Sequence, residues 1–374
     1  MISGGGTAGH VYPALTVVSW LTSASETGTR IPDAAPLECL WVGSEGGVEA
    51  GLVGRAAIPF AGIGATGLRG KGPRDVARGG LKLARGFWQA RQLVAGFRPD
   101  VVFVTGGYVC GPVVGAAWLA RVPVLIYLPD IEPGLAIRFL ARFARRVAVT
   151  AAGSLRFFRP GQAVVTGYPV RDGLFGRDHS AARGCLGLTS QSAVAEALPV
   201  LLVFGGSQGS HSINQAIVRG IGTLLDAAEV IHLTGSRDFE WVQSQRAALR
   251  EDLRGRYHVY SYLDEQMVDA LAAADLAVAR AGASTLGELP AAGLPAVLVP
   301  YPYAGAHQWA NANFLVGAGA AVTVDDAAVE TQLVATALDL LLDADRRTAM
   351  GRAMRGLARP DAVARIAHEL SELA

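Results

Sequence analysis

Short apolar runs alternate with amphipathic stretches along the whole chain, and that alternation admits few architectures. It is the pattern of a parallel sheet whose strands are joined by crossover helices. In the first half the runs expected to form strands are Leu37–Val42, Val101–Thr105, Pro123–Leu128, Arg146–Thr150 and Ala163–Thr166. In the second half they are Pro199–Phe204, Val230–Leu233, His258–Tyr262, Leu276–Ala279, Ala296–Val299 and Ala321–Val324. Each set is large enough for its own Rossmann-like sheet, and 374 residues suit two domains better than one. Gly167-Tyr168-Pro169-Val170-Arg171 cannot continue a helix, so a boundary is expected near Gly167–Asp172. The division is drawn as 1–166, 167–357 and a terminal helix over 358–374.

The composition agrees with buried parallel strands and Gly-rich turns: 51% hydrophobic, 17% charged and 46 glycines. A net charge of +1 gives no global reason to bind nucleic acid. Cys39, Cys110 and Cys185 are scattered and odd in number, which argues against a disulfide framework or a zinc site and fits a reducing cytoplasm. The chain opens almost directly into a Gly-rich turn, so no secretory leader is read. Two uncharged stretches are long enough to span a bilayer. Glycines and Pro112 break Val101–Ala120, and four prolines break Leu289–Val324, so a soluble chain is expected.

Two Gly-rich turns carry the first functional signal. Gly4-Gly5-Gly6-Thr7-Ala8-Gly9-His10, with a helix expected from about Pro13, gathers backbone N–H groups and a helix N-terminus where an anion would sit. Its spacing is not G-x-G-x-x-G, and no acidic residue clearly closes the second strand, which disfavours a dinucleotide oxidoreductase. A tight strand–helix turn explains the glycines equally well, although His10 is an unusual choice for one. Only Met1, Ile2 and Ser3 precede the turn, so the natural start is expected upstream and the first strand clipped. Phe204-Gly205-Gly206-Ser207-Gln208-Gly209-Ser210 repeats the device, with Ser207 as a diphosphate donor or a cap for the helix at His211.

The densest block runs from Asp264 to Ala321. Arg280-Ala281-Gly282-Ala283-Ser284-Thr285-Leu286-Gly287-Glu288 leaves a strand, turns on small residues and is expected to place a carboxylate one turn inside a helix. Such a carboxylate can accept from both hydroxyls of a ribose, or simply balance the helix dipole. His307, Gln308 and Asn311 suit sugar hydroxyls or an ordinary helix surface. Between Arg69 and Arg98 lie eight basic residues and one acid, Asp75. On a helix, Val76, Leu83, Phe87, Ala90 and Val94 make the inward stripe. Arg74, Arg78, Lys82 and Arg85 lie opposite, edged by Leu81 and Trp88, a face suited to an anionic membrane surface or to plain solvation.

In order and spacing these blocks resemble the MurG family, on Gly5–Pro13, Gly106-Gly107-Tyr108, Gly167–Arg171, Gly205–Gly209, Arg280–Glu288 and His307–Asn311. The resemblance runs from Gly4 to about Val324. It implies an α/β protein of GT-B fold, with two Rossmann-like domains facing across a cleft and a last helix crossing back to the first. It implies an inverting transferase that moves N-acetylglucosamine from UDP-N-acetylglucosamine to lipid I, making lipid II at the cytoplasmic side of the membrane without a cofactor or metal.

Carried over by motif, the uracil would meet the Leu263 backbone and Met267, the ribose Glu288, the diphosphate Ser207, and the sugar Gln308 and Ala283, with His307 and Asn311 beside them. Arg171 and Arg280 match basic positions of the family. The acceptor diphosphate would lie over Gly5, Gly6, Thr7, Ala8, Gly9 and His10 and the Gly106-Gly107 loop. Three positions depart from the pattern. Tyr127-Leu128-Pro129-Asp130 replaces a His-Glu-Gln-Asn stretch, Ala8 replaces a Gly, and His307 replaces a Gln. His10 is the first candidate for the base, Asp130 and Glu132 the second. The rival readings are a diacylglycerol glycosyltransferase and a non-catalytic membrane relative.

Overall fold

The computed structural model describes residues 1–6, 8–27, 37–66, 73–188, 198–206, 208–302 and 307–374, and within helices the side chains of 8, 24–27 and 73–78 are also outside the description. Thr7 and Ser207, and the side chains of Ala8, Arg74 and Arg78, therefore lie outside the described residues. The chain forms two compact units, Met1–Val170 with Pro360–Ala374, and Arg171–Arg359.

The first unit holds seven parallel strands: β1 (Ile2–Gly4), β2 (Trp41–Ser44), β3 (Phe60–Ile63), β4 (Val102–Gly106), β5 (Val124–Leu128), β6 (Arg146–Val149) and β7 (Ala163–Val165). Their order is β3-β2-β1-β4-β5-β6-β7, so the direction of winding reverses between β1 and β4. β1 is three residues long and still central, with Ile2 opposite Trp41 on one side and Phe103 on the other. The Met1 amine donates to the Val101 carbonyl at 3.0 Å. The edge strand β3 was not anticipated, because Pro59 and Gly62 make the segment read as a turn.

The second unit holds β8 (Val200–Phe204), β9 (Glu229–Leu233), β10 (Tyr257–Tyr260), β11 (Leu276–Ala279), β12 (Ala296–Leu298) and β13 (Ala321–Thr323), in the order β10-β9-β8-β11-β12-β13. The reversal here falls between β8 and β11. β8, β9, β11 and β12 are buried along their whole length, with Leu201, Val203, Ile213, Ile217, Val278 and Val297 in one core cluster. Burying each such side chain contributes roughly 1.5–3 kcal/mol.

Gly167–Val170, assigned from sequence to the second domain, sit in the first unit. Tyr127 anchors them: its hydroxyl donates to the Gly167 carbonyl at 3.3 Å, and its ring meets that of Tyr168 edge to face at 6.3 Å. The last helix, Ala362–Ser371, packs on the first helix, Ala8–Thr27, and on β6. Glu369 pairs there with Arg146 at 2.9 Å.

Candidate functional site

In open parallel sheets, ligands bind beyond the carboxyl ends of the strands where the winding reverses. In the first unit that point is bounded by the turns after β1 and β4, which are Gly5–His10 and Gly106-Gly107. In the second it is bounded by the turns after β8 and β11, which are Gly205–Ser210 and Arg280–Gly287. The motifs singled out in sequence thus converge on two points, one in each unit.

At the first point, the helix begins at Ala8 rather than near Pro13, which puts His10 in its first turn. Pro13 lies inside the helix, past its first turn, and has no N–H to give the Gly9 carbonyl. The His10 ring lies against Gly106, where a Cβ would sit 2.7 Å from its Cδ2, and Gly106 has φ +123°, so two demands select glycine. The Thr105 hydroxyl donates to the His10 carbonyl at 2.5 Å.

His10 Nδ1 lies 3.2 Å from the Gly5 carbonyl. A carbonyl only accepts, so Nδ1 carries the proton and Nε2 the lone pair. Burial pushes the His10 pKa down, opposed by the charge of Asp130 and the bond to Gly5. The ring is therefore held neutral, in the tautomer a base requires. Asp130 is near enough to act on His10, whereas Glu132 points to Arg156, 3.4 Å away.

Two amides of the loop are engaged within the unit. Gly5 N–H donates to the Gly106 carbonyl at 3.1 Å, and Gly6 N–H to Glu49 Oε2 at 3.2 Å. Gly9 and His10 lie in the first turn of the helix Ala8–Thr27, where backbone N–H groups have no intrahelical acceptor. Glu49 was missed because it stands five residues past β2. It is fully buried, folds back under the loop, and also accepts from Ser44 N–H at 2.7 Å. Tyr127, in the stretch that departs from the family pattern, is buried too and bonds the Thr150 hydroxyl at 3.1 Å.

At the second point three distant motifs meet. Arg171 Nε donates to Glu288 Oε1 at 3.1 Å, and Arg171 Nη1 donates to the Asp264 carbonyl at 2.9 Å. Glu288 is the first residue of the helix Glu288–Ala292, after a separate 3-10 turn over Ala283–Leu286, so it stands at the helix mouth and not one turn inside. Burial pushes its carboxyl pKa up, while Arg171 and Ser284 pull it back. Leu263 and Met267 are buried beside Asp264, whose carbonyl also accepts from Met267 N–H at 3.3 Å.

Arg280 is not an uncommitted cation. It donates to the Ser210 and Ser212 hydroxyls at 3.0 and 2.9 Å and to the Val299 carbonyl at 3.2 Å, and it pairs with Asp326 at 2.6 Å. It clamps the turn after β8 onto β12. Asn311, expected as a sugar contact, is fully buried and donates to the Ala281 carbonyl at 3.0 Å. Gln308 accepts from Tyr301 N–H at 2.9 Å, leaving its amide NH2 for other partners. His307 opens the helix His307–Gly317. Both helical residues hold the turn after β11 or the segment after β12, which a surface reading of the sequence does not suggest.

Behind the turn after β8 runs a polar chain, exposed at His211 and buried from Asp238 inward. His211 Nδ1 meets Asp238 at 2.9 Å, and Asn214 donates to Asp238 at 2.8 Å. Asn214 Oδ1 accepts from His232 Nε2 at 3.0 Å, and Tyr257 Oη lies 2.8 Å from His232 Nδ1. A cavity of about 380 Å³ opens at the opposite ends of the strands, beside Ala274 and Pro295, away from this point. Among the described residues no group of His, Cys, Asp or Glu could hold a metal ion.

The basic stretch folds as the helix Pro73–Phe97. Ala90 and Val94 are buried, and Leu83 and Phe87 partly so. Leu81 is 75% exposed and Trp88 60%, beside exposed Lys82 and Arg85, with Arg91 stacked over Trp88 at 5.4 Å. Trp118 and Leu119, at the end of the neighbouring helix Cys110–Leu119, add further exposed apolar surface. Among the described residues no helix is long and apolar enough to cross a membrane.

The two units match known domains in order. Residues 1–149 match the glycosyltransferase family 28 N-terminal domain, and residues 200–366 the glycosyltransferase family 28 C-terminal domain. The UDP-N-acetylglucosamine--N-acetylmuramyl-(pentapeptide) pyrophosphoryl-undecaprenol N-acetylglucosamine transferase of Roseiflexus sp. (strain RS-1) is 42% identical, over 99% of this chain and 94% of its own. The protein of that name from Salinibacter ruber (strain DSM 13855 / M31) is 40% identical over 100% and 96%. Among solved structures, the crystal structure of Acinetobacter baumannii MurG aligns with a TM-score of 0.73 at 26% identity, covering 100% of this chain and 98% of that one. A UDP-GlcNAc 2-epimerase from Neisseria meningitidis bound to UDP-GlcNAc gives a TM-score of 0.66 at 13% identity over 99% of each chain, a likeness of fold alone.

Proposed function

From the premise that this chain belongs to the MurG family of glycosyltransferases, with the GT-B pair of Rossmann-like domains, we infer its reaction and the residues that carry it. The enzyme transfers N-acetylglucosamine from UDP-N-acetylglucosamine to lipid I, making lipid II for peptidoglycan synthesis. The observation that carries this is the 42% identity over 99% of the chain to a transferase of that name.

The reaction is a single displacement. The acceptor hydroxyl oxygen bonds to the anomeric carbon, the bond from that carbon to the diphosphate breaks, and the electron pair leaves with UDP. The hydroxyl proton goes to His10 Nε2, which the bond from Nδ1–H to Gly5 leaves as the basic nitrogen. A base of depressed pKa stays unprotonated in neutral solution, and its protonated form is stabilised by Asp130. The acceptor diphosphate lies at the N-terminal turn of the helix Ala8–Thr27, where helix N–H groups and the dipole favour an anion.

On the donor side, the Arg171–Glu288 pair presents a carboxylate fixed in orientation to the ribose hydroxyls. Leu263 and Met267 flank the uracil, and the amide of Gln308 with the turn at Ala283 faces the sugar. Arg280 acts indirectly, holding the turn after β8 through Ser210 and Ser212. The exposed Leu81 and Trp88 beside Lys82 and Arg85 support peripheral attachment to the anionic cytoplasmic face of the membrane, where the acceptor's lipid tail resides. The protein is therefore active in wall building, and so in cell shape and division.

The test is radiolabelled N-acetylglucosamine transfer from UDP-N-acetylglucosamine to a short-chain lipid I analogue, with diacylglycerol as the rival acceptor. Labelled lipid II is the expected product. Labelled diacylglycerol alone, or UDP binding without transfer to either lipid, would overturn the assignment.

A further inference from the structure

The Gly5–Gly6 peptide unit has a partner on each side. Its carbonyl accepts from His10 Nδ1–H at 3.2 Å, and its N–H donates to Glu49 Oε2 at 3.2 Å. A trans peptide is a rigid plane whose C=O and N–H point in opposite directions, so fixing one end fixes the other. We propose that Glu49 is a positioning residue for the transfer reaction, acting on His10 through this single peptide. The arrangement is a carboxylate–imidazole pair with an amide interposed.

Three observations carry it. Glu49 is fully buried, and both its oxygens accept backbone N–H groups, Oε1 from Ser44 at 2.7 Å and Oε2 from Gly6. Its place under the loop is matched by the absence of side chains above it, since a Cβ on Gly5 would lie 2.3 Å from Oε1 and one on Gly47 2.4 Å. Gly6 is held at φ +84°, a conformation that lets the peptide face Glu49 on one side and His10 on the other. Electrons drawn toward the carbonyl by the N–H···carboxylate bond make Gly5 O a better acceptor, because chained hydrogen bonds strengthen one another. The result is a stronger grip on Nδ1–H, a fixed tautomer, and a more basic Nε2. A carboxylate that orients a catalytic imidazole by a direct bond matters greatly even though it never touches substrate, and here the same effect is passed through one peptide.

The inference rests on the reading of His10 as the base, and the experiment separates the two. Glu49→Gln keeps the volume but replaces one acceptor oxygen by an NH2 group, which faces an N–H and cannot accept it. Its kcat is expected to fall by roughly ten- to a hundred-fold, the scale of losing a group that orients a catalytic ligand. UDP affinity, set in the other unit, should stay at the wild-type value and also reports that the variant is folded. The acid limb of the pH–rate profile should move to lower pH, because removing a negative charge makes the imidazolium less favourable. In nitrogen-15 NMR the single Nδ1–H tautomer of His10 should give way to a mixture. Glu49→Asp, one methylene short, serves as the second variant: it should lose kcat and the single tautomer as Gln does, while its retained charge leaves the acid limb closer to the wild-type position. His10→Gln run alongside tests the underlying reading: if it keeps wild-type kcat, the base assignment fails. If His10→Gln is inactive while both Glu49 variants keep the wild-type kcat, acid limb and tautomer, losing only thermal stability, Glu49 is a structural carboxylate and the proposal is overturned.

Discussion

Arg171 Nε stands 3.1 Å from Glu288 Oε1, joining a residue that opens the second unit to one 117 positions later at the mouth of a helix. The pair explains how a buried carboxylate whose pKa is pushed up by burial can still present charge, since the guanidinium favours the ionised form. If Glu288 receives the ribose hydroxyls, Glu288→Ala should raise the donor KM roughly ten-fold or more, the value of one or two charge-assisted hydrogen bonds. Acceptor KM should not move. Initial-rate kinetics with each substrate varied in turn check this, and an unchanged donor KM in a folded variant removes Glu288 from the site.

His10 gives a pH prediction with a definite sign. Its pKa lies below the ordinary histidine value of about 6.5, chiefly through burial, so the neutral base persists to lower pH than a free imidazole would. The acid limb of kcat/KM should accordingly have its midpoint below about 6.5. His10→Gln should lower kcat by roughly 10²–10⁴-fold and remove that limb. A variant that mainly raises acceptor KM, with the limb intact, would make His10 a phosphate ligand instead.

The exposed side of the helix Pro73–Phe97 predicts a surface affinity independent of the chemistry. Each basic side chain at an anionic membrane contributes about 1 kcal/mol, so Lys82→Ala and Arg85→Ala should each weaken binding to anionic liposomes roughly five-fold. Leu81→Ser with Trp88→Ser should weaken it further through lost apolar insertion. Turnover of a detergent-soluble acceptor should survive all four changes. Wild-type sedimentation with vesicles would mark the face as merely solvated.

Much of this arrangement is legible in the sequence. The bounds of Leu276–Ala279 are plain in the sequence, because an uninterrupted apolar run between an aspartate and an arginine reads as a buried strand. What escaped was tertiary. β3 hides behind Pro59 and Gly62. Glu49 looks like an ordinary first-turn acid of a short helix, and only folding brings it beneath Gly5 and Gly6. Asn311 and Arg280 stand out in the sequence, but their side chains secure the turns after β8 and β11, through Ala281, Ser210 and Ser212, instead of reaching out from them. Polar residue type shows that a hydrogen bond will form, not with which partner.

His232 supplies a stability prediction. Burial lowers its pKa to about 3, with the charge of Asp238 opposing, while in the unfolded chain it titrates at about 6.5. Between those values the unfolded state binds the extra proton, so the contribution is complete above about 6.5 and is lost as pH falls, by roughly 1.4 kcal/mol per unit. His232→Gln should lower stability at neutral pH, since Asn214 and Tyr257 lose a fitted partner, yet flatten the acid slope. Thermal unfolding between pH 4 and 7, followed with UDP as a reporter of the second unit, measures both. Equal slopes in wild type and variant would show that the imidazole is not what makes the protein acid-sensitive.

The pairing of the last helix with β6 and the first helix has a consequence for biogenesis. The second unit is an insertion within the first, because the chain leaves at Val170 and returns at Pro360. A ribosome delivers residues in order, so the inserted unit is complete on the nascent chain while its host still lacks the helix Ala362–Ser371. Until that helix emerges, the surface awaiting Ile366 and Leu370 is bare and Arg146 has no Glu369. The unit that begins translation is the last to finish folding.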